Sequence, residues 1–402
     1  MRFVLPDGAF WEVTLTARTV HARWGKGSAV KTRTAPFRTV AAAKRELEAL
    51  LQKVKSLGYR PEKQPEGIAE ALRANPDDDS PLIVHADELL SQDDLRGELA
   101  ALVAGGKKSE LRKFLLGNAT ALFGAAEEDV HEGHAGELVW APGFVREVTF
   151  TAPYTADAGE LVAVTKRFLA APVAQFVREV NFGLSYESWS AAAEQVTRAQ
   201  HPELVNALRF DAFDAHELAL TDIDAGDFTE VWARLPELRE FKVCAGAMEP
   251  GELVLPELRS FSRLGGGFSS SELRALATAR WPKLDRLELG FQEESAGDPG
   301  VLLTALFTKF GSLQHLALRD LTLSPEQVEA LLDSDLLPRL RTLDLADVVL
   351  DEEAAEVLSD GAEQLAHLAR LSSPFLTDEE GAPTMPVLED LENLFDDAFD
   401  GE

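Results

Sequence analysis

A short apolar pattern recurs nine times between residues 144 and 372 and constrains the fold of this chain more than any other feature. Most copies have the form apolar-x-x-apolar-x-apolar, as in FVREVTF, WPKLDRLEL and LPRLRTLDL. The middle apolar positions are Val148, Val180, Leu208, Phe241, Phe261, Leu287, Leu316, Leu343 and Leu368, separated by 32, 28, 33, 20, 26, 29, 27 and 25 residues. Spacings of this size favour stacked units of one strand and one helix, because such a unit cannot bury its apolar face alone.

The pattern resembles the leucine-rich repeats of bacterial proteins, most clearly in the unit LPRLRTLDLADVVLDEEAAEVLSDG. That resemblance implies a curved solenoid, in which the residues between the last two apolar positions face the concave surface. Four charged members of this row are candidate partner-binding residues: Arg209, Lys242, Glu288 and Asp344. The row holds no set of catalytic side chains, so we expect it to bind a protein. The alternative is that it is simply a solvated face.

Charge is divided unevenly along the chain. Residues 1–64 hold 13 Lys and Arg against 5 Asp and Glu, a net charge of +8, while the remaining 338 residues hold 26 against 64, a net of −38. A basic segment joined to an acidic body points to a polyanionic partner for the basic part.

The basic segment has the alternating apolar and polar residues of short antiparallel strands, followed by one amphipathic helix. Val20, Ala22 and Trp24 share one face of a predicted strand, and an apolar stripe from Ala43 to Leu57 predicts the helix. Six basic residues lie on the strands and turns, where several could reach one phosphate backbone: Arg18, Arg23, Lys26, Lys31, Arg33 and Arg38. Six phosphate contacts would give a log-log salt slope of roughly −5 with little sequence preference. The alternative is that Trp24 is a packed sheet residue and the cations form a solvated face.

The order FWEV, ARWGKGS, a basic strand and an Ala-rich helix ending in LGY resembles the WGR domain over about 60 residues. In DNA-dependent poly(ADP-ribose) polymerases this domain sits at DNA ends. The resemblance implies that Trp24, Gly25 and neighbouring basic residues contact DNA. Lys26 replaces the arginine of the motif. Lysine keeps the positive charge but lacks the planar guanidinium group that can donate to two acceptors at once.

Between the two regions, IAEALRANPDDDSPLIVHADELLSQDDLRGELAALVAG predicts amphipathic helices. It resembles a repeat-companion domain of some bacterial leucine-rich-repeat proteins, which implies no activity. Asp77, Asp78 and Asp79 are either a cation site or the acidic start of a helix, where carboxylates cap and complement the dipole.

Other candidate sites are weak in this sequence. His131 and His134 are three residues apart beside a glycine, whereas the zincin pattern needs two histidines four apart on a helix. The single cysteine, Cys244, cannot form an intramolecular disulfide. Since no apolar run reaches 18 residues, we expect a soluble cytoplasmic protein without metal or cofactor.

These observations predict an α/β protein, with a small antiparallel sheet plus one helix (1–62), a short helical segment (66–140), a leucine-rich-repeat solenoid (144–376) and an acidic tail (377–402). The tail carries ten acidic residues and no basic one, so it either competes with nucleic acid for the basic segment or only solubilises the chain. The predicted function is a non-enzymatic adaptor that binds nucleic acid, at DNA ends, and a protein partner. The alternative is a protein-interaction scaffold that binds no nucleic acid.

Overall fold

The structure is a computed structural model of the chain. It describes residues 2–4, 10–16, 19–26, 29–39, 42, 45–47, 49–50, 53–54, 60–61, 67–151, 159–183, 189–211, 223–291, 299–372, 374–377 and 383–386. The chain divides into two compact units, Met1–Ala71 and Leu72–Glu402.

The first unit is an antiparallel sheet with a helical stretch. Its strands are β1 (Arg2–Val4), β2 (Phe10–Thr16), β3 (Thr19–Lys26), β4 (Ala29–Pro36) and β5 (Arg60–Pro61). They are arranged in the order β4-β3-β2-β1-β5, and residues 42, 45–47, 49–50 and 53–54 are helical. Val20 is buried, with Trp11, Phe37, Leu47 and Leu50 packed against it. Alternate residues of the strands therefore meet apolar residues of the helical stretch in one small core.

The second unit alternates helices and strands. Its helices are α1 (Ile68–Ala74, which begins in the first unit), α2 (Ser80–Ser91), α3 (Leu95–Ala104), α4 (Lys108–Gly117), α5 (Ala119–Phe123), α6 (Glu127–Glu132), α7 (Glu160–Leu169), α8 (Trp189–Val196), α9 (Thr229–Trp232), α10 (Ser270–Thr278), α11 (Pro299–Lys309), α12 (Pro325–Leu332), α13 (Glu352–Asp360) and α14 (Ala362–Leu365). Its strands are β6 (Ala135–Ala141), β7 (Phe144–Phe150), β8 (Glu179–Phe182), β9 (Ala207–Phe210), β10 (Asp224–Asp227), β11 (Glu240–Cys244), β12 (Ala247–Glu249), β13 (Ser260–Leu264), β14 (Arg286–Gly290), β15 (His315–Leu323), β16 (Thr342–Leu350), β17 (Arg370–Ser372), β18 (Phe375–Thr377) and β19 (Pro383–Pro386).

Most of these strands form one 12-stranded mixed sheet in the order β19-β18-β16-β15-β14-β13-β11-β9-β8-β7-β6, with β17 also paired to β16. The strands from β7 to β16 pair in parallel, while the pairs β6–β7 and β18–β19 are antiparallel. The predicted fold class is therefore wrong. This α/β fold is built on a large mixed sheet, and it is not a small sheet followed by a short helical segment and a leucine-rich-repeat solenoid.

The error has a physical reason. The apolar pattern locates buried parallel strands, and any parallel sheet that is covered by helices produces the same pattern. Thus Val148, Val180, Leu208, Phe241, Phe261, Leu287, Leu316 and Leu343 are register partners from strand to strand. The ninth position was misplaced, because Leu371 and not Leu368 pairs with Leu343.

The helical segment is also continuous with the sheet. Leu99, Leu122 and Phe123 belong to the same buried cluster as the strand residues. Helices α3 and α5 therefore share the core of the sheet.

The acidic turn before α2 has a structural function. Arg178, which is 1% exposed, donates one hydrogen bond to the Pro76 carbonyl and another to Asp79 Oδ1 at 2.5 Å. Asp78 Oδ1 accepts a hydrogen bond from the Ser80 amide at 2.9 Å, and hydrogen bonds from the Ser80 side chain, followed by this amide, lower the pKa of Asp78. The turn therefore comes directly before a helix and ties it to the residue that precedes β8, while Asp79, at the N-cap of α2, makes no side-chain capping hydrogen bond.

Candidate binding surfaces

The predicted partner-binding residues lie in one row on the face of the sheet opposite the core. Asn181, Arg209, Lys242, Ser262, Glu288, Ala317 and Asp344 are register partners across successive strands. The sheet therefore brings Arg209, Lys242, Glu288 and Asp344 onto one surface, which we call the outer face. Neighbouring side chains divide this row into three groups of ion pairs.

Arg209 is the centre of the first group. Its Nε lies 2.5 Å from Glu240 Oε1 and its Nη2 2.8 Å from Glu240 Oε2, a bidentate pair. Nη1 and Nη2 each lie 3.2 Å from Glu179 Oε2, and Nη1 lies 3.1 Å from Asn181 Oδ1. The hydrogen bonds to Glu240, followed by the charges around it, raise the pKa of Arg209. The guanidinium donors of Arg209 are already engaged within the chain. Arg209 therefore links strands β8, β9 and β11 instead of presenting free donors to a ligand.

Lys242 forms the second group with Asp211. The Lys242 Nζ lies 2.9 Å from Asp211 Oδ1 and 3.0 Å from Oδ2. Burial, followed by the charge of Asp211, raises the pKa of the neighbouring Cys244 thiol. This thiol is therefore protonated at neutral pH and is a poor nucleophile.

The third group has more negative than positive charge. Arg319 Nε lies 2.9 Å from Glu288 Oε1, Nη2 lies 3.1 Å from Asp344 Oδ2, and Nη1 lies 2.7 Å from Asp347 Oδ2. One guanidinium thus serves three carboxylates. Asp347 keeps half of its side chain exposed, at 51%. Burial and the charge of Asp347 also raise the pKa of Asp320, a non-glycine residue with a φ of 51°.

Sequence reasoning missed Arg319 and Asp347. The row was defined by one position per strand, and Arg319 lies two residues beyond Ala317, on the same face of β15. Extending the period-2 pattern by one step would have found Arg319. Asp347 follows a register shift between β15 and β16, which a regular pattern does not predict.

Most of the predicted nucleic-acid residues lie on β3 and β4 of the first unit. The Trp24 ring stacks on the Trp11 ring with centroids 4.6 Å apart and planes inclined by 8°. Lys31, the register partner of Trp24, is exposed. Arg33, the register partner of Ala22, has a side chain that is 59% exposed and lies 4.0 Å from Glu46.

For the other residues of this predicted site, the structure describes the strand pairing of the backbone or nothing. Arg23, Gly25 and Lys26 pair with Thr32, Val30 and Ala29 of β4. Arg18 lies outside the described residues. Trp24 thus packs across the strands on Trp11, and Lys31, Arg33 and Arg38 are the exposed members of the six basic residues among those that the structure describes.

The described residues contain no group of three His, Cys, Asp or Glu side chains arranged to hold a metal ion. His134 Nδ1 lies 3.6 Å from Glu132 Oε2 at the end of α6, where Gly133 adopts a φ of 83°. None of the described helices is long and apolar enough to cross a membrane.

Comparison with known proteins gives a likeness in fold. No protein-family profile matches the chain, and no curated protein matches it. The chain is similar to the crystal structure of a structural-genomics target from Bacteroides fragilis, at 19% identity, over 98% of this chain and 93% of that one, with a TM-score of 0.50. At this identity the likeness concerns the fold alone, and it runs through the helical segment and the large sheet together.

Proposed function

We propose that this protein is a non-enzymatic cytoplasmic adaptor. Its basic N-terminal unit, a WGR-like module, binds nucleic acid at DNA ends, and the acidic outer face of the large sheet binds a protein partner. The observation that carries this proposal is the division of charge: a net of +8 over residues 1–64 against −38 over the rest. An acidic body repels nucleic acid, so binding is directed to the basic unit.

The accessible cations of β4 set the mode of nucleic-acid binding. Lys31 and Arg33 are two residues apart on one strand, so their side chains leave the same face. Cations spaced along a strand contact phosphates without reading bases. Trp24 supports the strand through its stack on Trp11. We therefore expect binding that depends strongly on salt and weakly on sequence.

The third ion-pair group is the part of the outer face best suited to a protein partner. Glu288, Asp344 and Asp347 share Arg319, and a basic side chain of a partner would complete the charge balance there. The Arg209 group is closer to neutral, because a second guanidinium, that of Arg146, also pairs with Glu179 there.

A scaffold without nucleic-acid binding is the alternative, and one observation favours it. β4 is the edge strand of the first sheet, and natural proteins place Lys, Arg and Pro on edge strands to prevent unwanted strand pairing. Lys31, Arg33 and Pro36 would serve that purpose without any ligand.

The test is a fluorescence-anisotropy titration of end-labelled duplex DNA with the full chain and with Lys31→Ala/Arg33→Ala. The control is Arg112→Ala/Lys113→Ala, which removes the same charge from exposed positions of α4. The adaptor predicts that the first variant binds more weakly and loses about 2 from the log-log salt slope, since each phosphate contact contributes about 0.9. Equal binding by both variants and the wild type would favour the scaffold.

A further inference from the structure

Helix α2 carries a concentration of exposed apolar side chains. Six large apolar residues are exposed in the described part of the chain: Ile83, Val84, Leu90, Leu116, Val139 and Val254. Three of the six, Ile83, Val84 and Leu90, lie on this 12-residue helix, with exposed fractions of 53%, 62% and 49%. Single exposed apolar residues are ordinary, but several on one helix mark an interaction surface.

The orientation of α2 is fixed by its other face. Leu82, Ala86 and Leu89 are buried, and the His85 ring stacks on Phe144 with centroids 5.8 Å apart. Ile83, Val84 and Leu90 lie outside this buried face and remain about half exposed. The helix cannot rotate to bury them without exposing the residues that now hold it.

The spacing of the exposed residues suits a helical partner. Ile83 and Leu90 are seven residues apart, or two helical turns, and therefore project from the same side of α2. A seven-residue spacing of apolar residues is the seam along which two helices pack. Val84 widens the surface on the solvent side.

The surroundings of this surface are acidic. Five exposed carboxylates, Asp77, Asp87, Glu88, Asp93 and Glu98, lie on α2 and in the segments that flank it. Arg96 is the single Lys or Arg between residues 75 and 98, and its guanidinium is paired with Asp94 at 2.9 and 2.7 Å. This positive charge is therefore already neutralised.

We propose that the surface formed by Ile83, Val84 and Leu90 binds a basic amphipathic helix of a partner protein. The apolar stripe of such a helix covers Ile83 and Leu90, and its Lys and Arg side chains face the surrounding carboxylates. A second copy of this chain is disfavoured as the occupant, because two acidic surfaces repel each other. The proposal concerns a surface other than the outer face and does not depend on nucleic-acid binding.

The test uses the full chain and a fluorescein-labelled 18-residue probe peptide with leucines at helical spacing and lysines elsewhere. A scrambled peptide of the same composition controls for charge alone. The test variant is Ile83→Ser/Leu90→Ser, and the matched control is Leu116→Ser/Val254→Ser, which removes two apolar side chains of similar exposure elsewhere. Circular dichroism verifies folding, and Val84→Ser is the second test variant if the double variant is unfolded.

The expected result is that the wild type binds the amphipathic peptide more tightly than the scrambled one, and that Ile83→Ser/Leu90→Ser weakens binding by about tenfold or more. The control variant should bind as the wild type does. Asp87→Asn should weaken binding more at low salt than at high salt, unlike Asp335→Asn, which removes an exposed carboxylate far from α2 in the sequence. Equal binding of both peptides, equal loss in the test and control variants, or no binding at low salt would each overturn the proposal. So would a wild-type dimer that Ile83→Ser/Leu90→Ser dissociates, since the occupant would then be a second copy.

Discussion

A buried ion pair in the core of the large sheet provides the sharpest prediction about stability. Arg263 occupies a core position of β13, where its register partners on the adjoining strands are Val243 and Leu289. Arg263 and Glu272 are 0% and 1% exposed, and Arg263 Nε lies 3.1 Å from Glu272 Oε1. The guanidinium also donates to the carbonyls of Ala245, Leu264 and Gly246.

The second oxygen of Glu272 completes a capping box. Glu272 Oε2 accepts from the Ser269 amide at 3.1 Å, and Ser269 Oγ accepts from the Glu272 amide at 3.1 Å. Glutamine can occupy the same place, because Gln327 forms the equivalent box with Ser324 at the start of α12. Glu272→Gln therefore removes the charge and keeps the cap.

The magnitudes follow from this geometry. Glu272→Gln leaves an uncompensated buried guanidinium, and Arg263→Leu leaves a buried carboxylate, so each should lower the free energy of unfolding by about 3 to 5 kcal/mol. The double variant, with leucine beside Val243 and Leu289, should be within about 2 kcal/mol of the wild type. The predicted coupling is then about 4 kcal/mol or more.

Urea denaturation of the full chain, followed by circular dichroism, measures these three variants against the wild type. If the two single losses add to give the loss in the double variant to within about 0.5 kcal/mol, the pair is not coupled and the reasoning is refuted.

Three further predictions follow. Asp79→Ala should lower the free energy of unfolding by about 2 to 3 kcal/mol in urea denaturation, because it leaves the buried Arg178 guanidinium with the Pro76 carbonyl; a loss below about 0.5 kcal/mol would show that the pair does not hold α2. Asp320→Asn should stabilise the protein at pH 7 by about 0.5 kcal/mol, because burial and the charge of Asp347 raise the pKa of Asp320 and disfavour its ionised form. The ionised carboxylate destabilises the fold above the raised pKa, and this destabilisation is lost below the unfolded-state pKa. Thermal melts at pH 3 should therefore show no gain in stability. Cys244 should react with iodoacetamide more slowly than glutathione at pH 7.5 and accelerate above pH 9, because burial raises its pKa; a rate equal to that of glutathione at pH 7.5 would contradict this.

The sequence predicted the positions of the parallel strands better than their architecture. Buried positions such as Val180 and Leu208 repeat because each parallel strand is covered by helices, and the alternation that places Arg209 on the outer face follows from the strand geometry. The same pattern cannot distinguish a repeat solenoid from a mixed sheet, since the difference lies in how the ends of the sheet pair.

Interactions over long sequence separations were not predictable from the pattern. Arg263 stands where the pattern requires an apolar residue, and nothing local shows that Glu272 neutralises it. Arg178 reaches 99 residues back to Asp79. The stack of Trp24 on Trp11 is different, because these residues share a face of adjacent predicted strands and their pairing needed only the correct hairpin register.

The central claim, that the basic unit of this chain contacts nucleic acid through phosphates, is tested most directly by the salt dependence of duplex DNA binding. End-labelled DNA is titrated with the full chain at salt concentrations between 20 and 200 mM, a range of about 10-fold, and binding is followed by fluorescence anisotropy. The slope is that of the logarithm of the binding constant against the logarithm of the salt concentration. The account predicts a slope of about −3 to −5, similar for unrelated sequences. Absence of binding at the lowest salt, or a slope near zero, would contradict it.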